Sequence, residues 1–134
     1  GGGSGNAGLF ATAEDVARFA WTMVCEGSAD DVRVLRPESV REMRSLQTAG
    51  LGAPRGLVWV VRDGDEQSSG GRVMSPSAFG HTGFTGTSLW IDPQSGAFFV
   101  LLTNAIHPTR DNTAHLQLRP LFHDLAASAV RKVD

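Results

Sequence analysis

The sequence predicts an α+β domain in which helices pack on an antiparallel sheet. Three observations carry this: an amphipathic stripe behind Thr12, two apolar β-rich runs joined by Pro93-Gln94-Ser95-Gly96, and a second helical stripe from about Leu118 to the end. Along the chain the order is helix, helix, strands, helix, with strands grouped rather than interleaved, which is the α+β arrangement. At 134 residues the chain, 1–134, has room for one domain and one core, burying roughly 65 to 70% of its unfolded surface.

The first helix is announced by Thr12-Ala13-Glu14-Asp15. A threonine N-cap followed three residues later by a carboxylate satisfies amides that the helix leaves unpaired and suits its positive end. Val16, Phe19, Ala20, Met23 and Val24 then form one apolar stripe, and Gly27 supplies the stop. Pro37, suited to the first helical position, opens a short second helix with Val40 and Met43 on one face, ending near Ser45 to Gln47. Thr48 to Arg55, with Gly50, Gly52 and Pro54, reads as a loop.

Leu57-Val58-Trp59-Val60-Val61 is a continuous apolar run that suits a strand covered on both faces. Asp63-Gly64-Asp65 then opens a polar, glycine-rich excursion through Gly71, read as a solvated turn because two carboxylates lack the other ligands of a calcium loop. Ser88 to Asp92 and Ala97 to Asn104 form a hairpin. With the segment around His81 they give three or four strands of one sheet. In the tail, Leu121, Phe122, Leu125, Ala129 and Val133 are spaced to lie across that sheet, with Pro120 expected in the first turn of the helix.

Composition excludes several classes. Apolar residues make up 41% and charged residues 19%, far from a disordered chain. Twelve basic and 14 acidic residues give a net charge of −2, with no basic stripe to hold a phosphate backbone, so nucleic acid is not an expected partner. The lone Cys25 sits in an apolar helical pattern and reads as a buried, inert thiol. No apolar run approaches the ~18 residues a membrane span needs, and no signal peptide opens the chain. The chain starts without Met, so an upstream segment would be free to carry one. Compartment is not legible. Gly1-Gly2-Gly3-Ser4-Gly5 reads equally as a cloning-derived linker or a native glycine-rich loop, and the adjoining Asn6-Ala7-Gly8-Leu9-Phe10 favours the native loop.

His81, His107, His115 and His123 share no metal-ligand spacing, so neither a metal nor another cofactor is expected; His115 and His123 read as helix-surface or partly buried. The chemically suggestive stretch is Phe79-Gly80-His81-Thr82-Gly83-Phe84-Thr85-Gly86 and its continuation through Pro93. Three glycines at a strand edge let another group approach the backbone and leave amides free to donate, as an oxyanion site requires. The residues alone are met more simply by a glycine-rich turn between strands.

This stretch resembles the third active-site element of the serine β-lactamases, their esterase relatives and the DD-peptidases. That element is Lys-Thr-Gly in many members and His-Thr-Gly in a branch rich in esterases and peptidase-like proteins. Trp90-Ile91-Asp92-Pro93, Leu101-Leu102-Thr103-Asn104 and, upstream, Gly8 to Phe19 are similar to that branch in the same order. The resemblance covers nearly the whole chain, weakly over residues 48 to 75.

It implies the C-terminal part of a β-lactamase-like α/β sandwich belonging to a serine hydrolase that acts by acyl transfer on an ester, amide or β-lactam. His81 takes the place of the motif lysine, Thr82 offers its hydroxyl to substrate, and Gly83 lets substrate lie against the strand. The Phe84 amide is one of two oxyanion donors, and Asn6 and Ala7 border the cleft. A histidine, with a solution pKa of ~6.5, need not be charged at neutral pH, which weakens a preference for a substrate carboxylate.

The family's nucleophile is the serine of Ser-x-x-Lys. Here the only lysine, Lys132, follows Ala129 by three, and tyrosine is absent. No nucleophile is therefore expected in this chain, which alone should be inactive; the upstream part of the same domain would supply it. Two alternatives stand beside this reading: a non-catalytic binding or interaction module that retains the fold, and an ordinary α+β domain whose His81 and Phe84 border no cleft. Strands left without their covering half should self-associate or dissolve poorly.

Overall fold

The structure, a computed structural model, describes residues 7–62 and 68–130. The Asp63-Gly64-Asp65 turn, Gly1 to Asn6, Lys132 and Val133 lie outside the described residues. Three helices pack on both faces of one antiparallel sheet.

Helix α1 spans Ala13–Val24. The Thr12 hydroxyl accepts from the Asp15 amide at 3.2 Å while the Asp15 carboxylate accepts from the Thr12 amide at 3.1 Å, the reciprocal box the sequence announces. The Thr12 hydroxyl, which donates to the Asp15 carboxylate at 2.8 Å, and the Thr12 amide, with Arg18 nearby, hold the Asp15 carboxyl below its ordinary pKa. The chain reverses at Gly27, whose φ of +92° suits glycine and whose missing Cβ leaves room for the Leu35 carbonyl. A small hairpin of β1, Ser28–Ala29, and β2, Val32–Arg33, follows; nothing in the sequence pattern pointed to it. Helix α2, Pro37–Arg44, starts at the expected proline and buries Val40.

The main sheet has the order β3, β4, β5, β6, all antiparallel: Val60–Val61, Phe79–Thr82, Ser88–Asp92 and Ala97–Leu101. Phe79 faces Ile91, and Ile91 faces Phe98, so these side chains share one face. Ala20 and Met23 of α1, Val40 of α2 and Trp59 close over that face, with Trp59 and Phe79 meeting edge to face at 5.3 Å. Trp90 and Phe99 point the other way and pack with Met74 and Ala78 against Phe122, Ala126 and Ala127.

Those last three residues belong to α3, Ala114–Ala129, which departs from expectation in two ways. It begins four residues before Leu118, which places Pro120 inside the helix rather than in its first turn and removes the bond to the Leu116 carbonyl. Its buried residues are Arg119 and His123, while Leu121 and Leu125 are 57% and 65% exposed. The predicted leucine stripe therefore faces outward, because Arg119 and His123 form hydrogen bonds to the sheet and its loop.

The run from Leu57 to Val61 is also corrected: only Val60 and Val61 pair, and Leu57 and Val58 are exposed. The Gly56 amide bonds the Trp59 carbonyl at 2.9 Å, closing a turn where a strand was expected. The hairpin from Ser88 forms as predicted, although β6 ends at Leu101.

Candidate active site

Strand β4 carries His81 and Thr82, and the chain turns at Gly83 to Gly86 before entering β5. Alternation along β4 sends His81 to the α1 side, opposite Leu89, and Thr82 to the α3 side, opposite Ser88. Backbone bonds hold the turn at Gly83 and Gly86: the Gly86 amide donates to the Gly83 carbonyl at 3.1 Å, and the Gly83 amide to the Thr87 carbonyl at 2.8 Å. The Thr85 carbonyl accepts from the Ala105 amide at 2.8 Å and the Thr103 hydroxyl at 3.1 Å. A Cβ at Gly83 would meet the Thr87 hydroxyl, which would have to rotate away.

His81 is exposed, and its ring is fixed from both sides. An Arg55 guanidinium nitrogen lies 3.3 Å from Nε2, and Nδ1 lies 2.8 Å from the Thr82 carbonyl. Arginine can only donate and a carbonyl can only accept, so the network assigns the hydrogen to Nδ1 and a free lone pair to Nε2. Both contacts are hydrogen bonds only with the ring hydrogen on Nδ1. Arg55 itself is anchored through its backbone: its amide donates to the Thr48 hydroxyl at 2.9 Å and its carbonyl accepts from the Gln47 amide at 2.7 Å. No carboxylate among the described residues pairs with it.

Around the turn, Phe84 is 71% exposed, with the Arg110 guanidinium 6.0 Å from its ring centroid. Neither the Thr82 hydroxyl nor the Phe84 amide has a hydrogen-bond partner among the described residues. Beneath the turn, Arg119 donates to the Gly86 carbonyl at 2.9 Å and the Gly83 carbonyl at 2.5 Å. Burial pulls this guanidinium below its ordinary pKa.

His123 lies deeper, with no exposed surface, which corrects the expectation of a helix-surface or partly buried residue. Its Nε2 meets the Ser88 hydroxyl at 2.9 Å, and its Nδ1 has no partner among the described residues. Desolvation lowers its pKa to about 4, with Asp124 opposing that shift and Arg119 adding to it. The pair is closed to substrate and is a core contact.

Sequence reasoning placed His81, Thr82, Gly83 and Phe84 together, and the structure has them contiguous on β4 and its turn. Ala7 is exposed, with a φ of +62°, and forms no hydrogen bond to β4 or its turn among the described residues; Asn6 is outside them. Arg55, Arg110 and Arg119 were missed, and no local pattern marks them. Among the described residues no three His, Cys, Asp or Glu side chains gather as metal ligands, and no helix is long and apolar enough to cross a membrane. Two cavities elsewhere, one by Arg41 and Gln94 and one by Trp21 and Asp31, include none of the site residues.

A sheet flanked by helices on both faces, with a glycine turn displaying a free amide after His81-Thr82-Gly83, fits one family by sequence as well. The chain matches the Beta-lactamase family over residues 1–122 and belongs to it. Among its relatives, the protein named "Putative D-alanyl-D-alanine carboxypeptidase" in Escherichia coli (strain K12) is 36% identical over 108 residues, covering 80% of this chain and 24% of that protein. The protein of the same name in Salmonella agona (strain SL483) is 34% identical over 110 residues, with the same coverage. The chain therefore spans about a quarter of the length of these relatives. The crystal structure of a β-lactamase from Mycobacterium bovis shares the fold, with a TM-score of 0.70 over 87% of this chain and 43% of that one, at 23% identity.

Proposed function

We propose that residues 1–134 are the C-terminal portion of a serine hydrolase domain that works by acyl transfer on an ester, amide or β-lactam, and that this portion supplies one wall of the site and one oxyanion donor. The observation that carries the reading is the unpartnered amide of Phe84, displayed beside a Gly83 whose amide and carbonyl are both hydrogen-bonded. When a serine from the upstream part attacks the substrate carbonyl, the oxygen gains negative charge as its double bond opens. A fixed N–H aimed at that oxygen stabilises the transition state more than the substrate, typically by about 3 to 4 kcal/mol.

Thr82, with its hydroxyl free, holds a polar group of the substrate, and Gly83 keeps the strand edge open to it. His81 takes the motif lysine's position, with its Nε2 facing the Arg55 guanidinium at 3.3 Å. The cation beside the motif is therefore arginine. Asn6 and Ala7 border the cleft from the upstream loop. The chain needs no cofactor for this role, because acyl transfer to serine is acid–base and nucleophilic chemistry alone.

The test is turnover and trapping with the full-length protein that carries this chain. Activated esters, amide substrates and a chromogenic β-lactam are offered, and acyl adducts are located by mass spectrometry. The reading expects an adduct on a serine upstream of Gly1. No adduct with any of the three classes would overturn it in favour of a non-catalytic binding module.

A further inference from the structure

Arg119 is a buried cation, 5% exposed, with no carboxylate partner among the described residues. An uncompensated buried charge is costly, and this one directs its hydrogen bonds to the carbonyls of Gly83 and Gly86. Arg62 is similarly bonded to the carbonyls of Gly71, Arg72 and Met74, so a guanidinium caged by carbonyls is by itself a loop fastener. Arg119 differs in what lies across the peptide bond that it grips.

The Gly83 carbonyl and the Phe84 amide belong to one peptide unit. In a planar trans peptide the C=O and N–H point in opposite directions. A donor that fixes the carbonyl on the α3 side therefore fixes the N–H on the other. The Gly83 carbonyl accepts twice, from the Gly86 amide at 3.1 Å and from Arg119 at 2.5 Å, while the Phe84 N–H has no partner among the described residues. The positive charge on the carbonyl also draws electron density through the amide, making the N–H a stronger donor, as in any chain of polarised hydrogen bonds.

We infer that Arg119 is a positioning residue: from α3 it sets the plane of the Gly83–Phe84 peptide and strengthens the Phe84 N–H as an oxyanion donor. This rests on the hydrolase reading for its catalytic meaning, but its geometric half does not. The charge is shielded from water and needs no reorganisation as the oxyanion forms, the condition under which fixed dipoles contribute most.

The test has two arms. In the first, 15N-labelled chain is compared with Arg119→Gln and Arg119→Lys by NMR. The Phe84 amide resonance should move in Arg119→Gln and recover partly in Arg119→Lys, with the buried Trp90 signals unchanged as the check of fold. An unmoved Phe84 amide in a folded variant, or loss of folding in both variants, would overturn the proposal and leave Arg119 a structural fastener.

In the second arm the full-length protein carries the same substitutions. Here kcat for an activated ester should fall between about 10- and 100-fold in Arg119→Gln with little change in KM, and affinity for a boronic acid that mimics the tetrahedral adduct should fall with it. A change confined to KM would overturn the catalytic half. A wild-type protein without acyl transfer would sink the hydrolase reading, while the NMR arm would still decide the geometry.

Discussion

Arg55 and His81, 26 residues apart in sequence, meet at 3.3 Å between a guanidinium nitrogen and Nε2. Because only Nε2 can accept in that contact, Arg55 dictates the tautomer of the motif histidine. The Nδ1–H is then handed to the Thr82 carbonyl. Long-range 15N correlation spectra of the neutral ring should show Nδ1 protonated and Nε2 bare. Replacing Arg55 with Leu should bring in the Nε2–H form, and an unchanged tautomer in Arg55→Leu would contradict the assignment.

A second expectation concerns acid stability. His123 is buried as the neutral base and its pKa is lowered to about 4 by desolvation. The unfolded chain takes up a proton near pH 6.5 while the folded chain does not, so stability falls as pH drops from about 6.5 towards about 4. The loss should reach about 3 kcal/mol at the lower end. Urea melts at pH 7 and pH 4.5 measure it, and His123→Gln should flatten the difference. A pH-independent midpoint in the wild-type chain would contradict the burial of a neutral ring.

Gly80 tests the packing under the motif. A Cβ at this position would run into the Leu89 carbonyl and the ring of Trp90. Backbone and a buried indole cannot yield cheaply, so Gly80→Ala should destabilise the chain by about 1 to 3 kcal/mol. Gly96→Ala, where nothing stands within 4 Å, is the control for a glycine with open space, although its φ of +67° adds some strain. Equal losses in thermal melts would contradict the close contact at 80.

The outward face of α3 bears on solubility. Leu118, Leu121 and Leu125 are exposed on it, and β6 forms an edge of the sheet with unpaired backbone groups. Both features favour association. Sedimentation of the chain alone should show concentration-dependent oligomers, which Leu121→Glu with Leu125→Glu should reduce. A clean monomer at high concentration would contradict this.

The legible parts of the fold were those written in local pattern. The Thr12 and Asp15 box, the proline that opens α2 and the hairpin from Ser88 follow from residues within a few positions of one another. So does the grouping of His81, Thr82, Gly83 and Phe84, which share one strand and its turn. The α3 prediction failed in orientation because periodicity marks an apolar face without naming the face that will be buried. Polar contacts made by Arg119 and His123 turned that helix, burying those two side chains, packing Phe122, Ala126 and Ala127 on the core and leaving the leucines out. Leu57 to Val61 failed because the Gly56 turn consumes the backbone groups a strand would share. Arg55 and Arg119 reach the site only through tertiary structure, 26 and 36 residues from their partners. Nothing in the local spacing of an arginine reveals such a partner.

The central claim is that this chain contributes a wall and a donor but no nucleophile. Labelling of the isolated chain with a fluorophosphonate probe, followed by peptide mapping, tests it most directly. The account predicts no modified serine anywhere in residues 1–134; robust, stoichiometric labelling of one of them would contradict it.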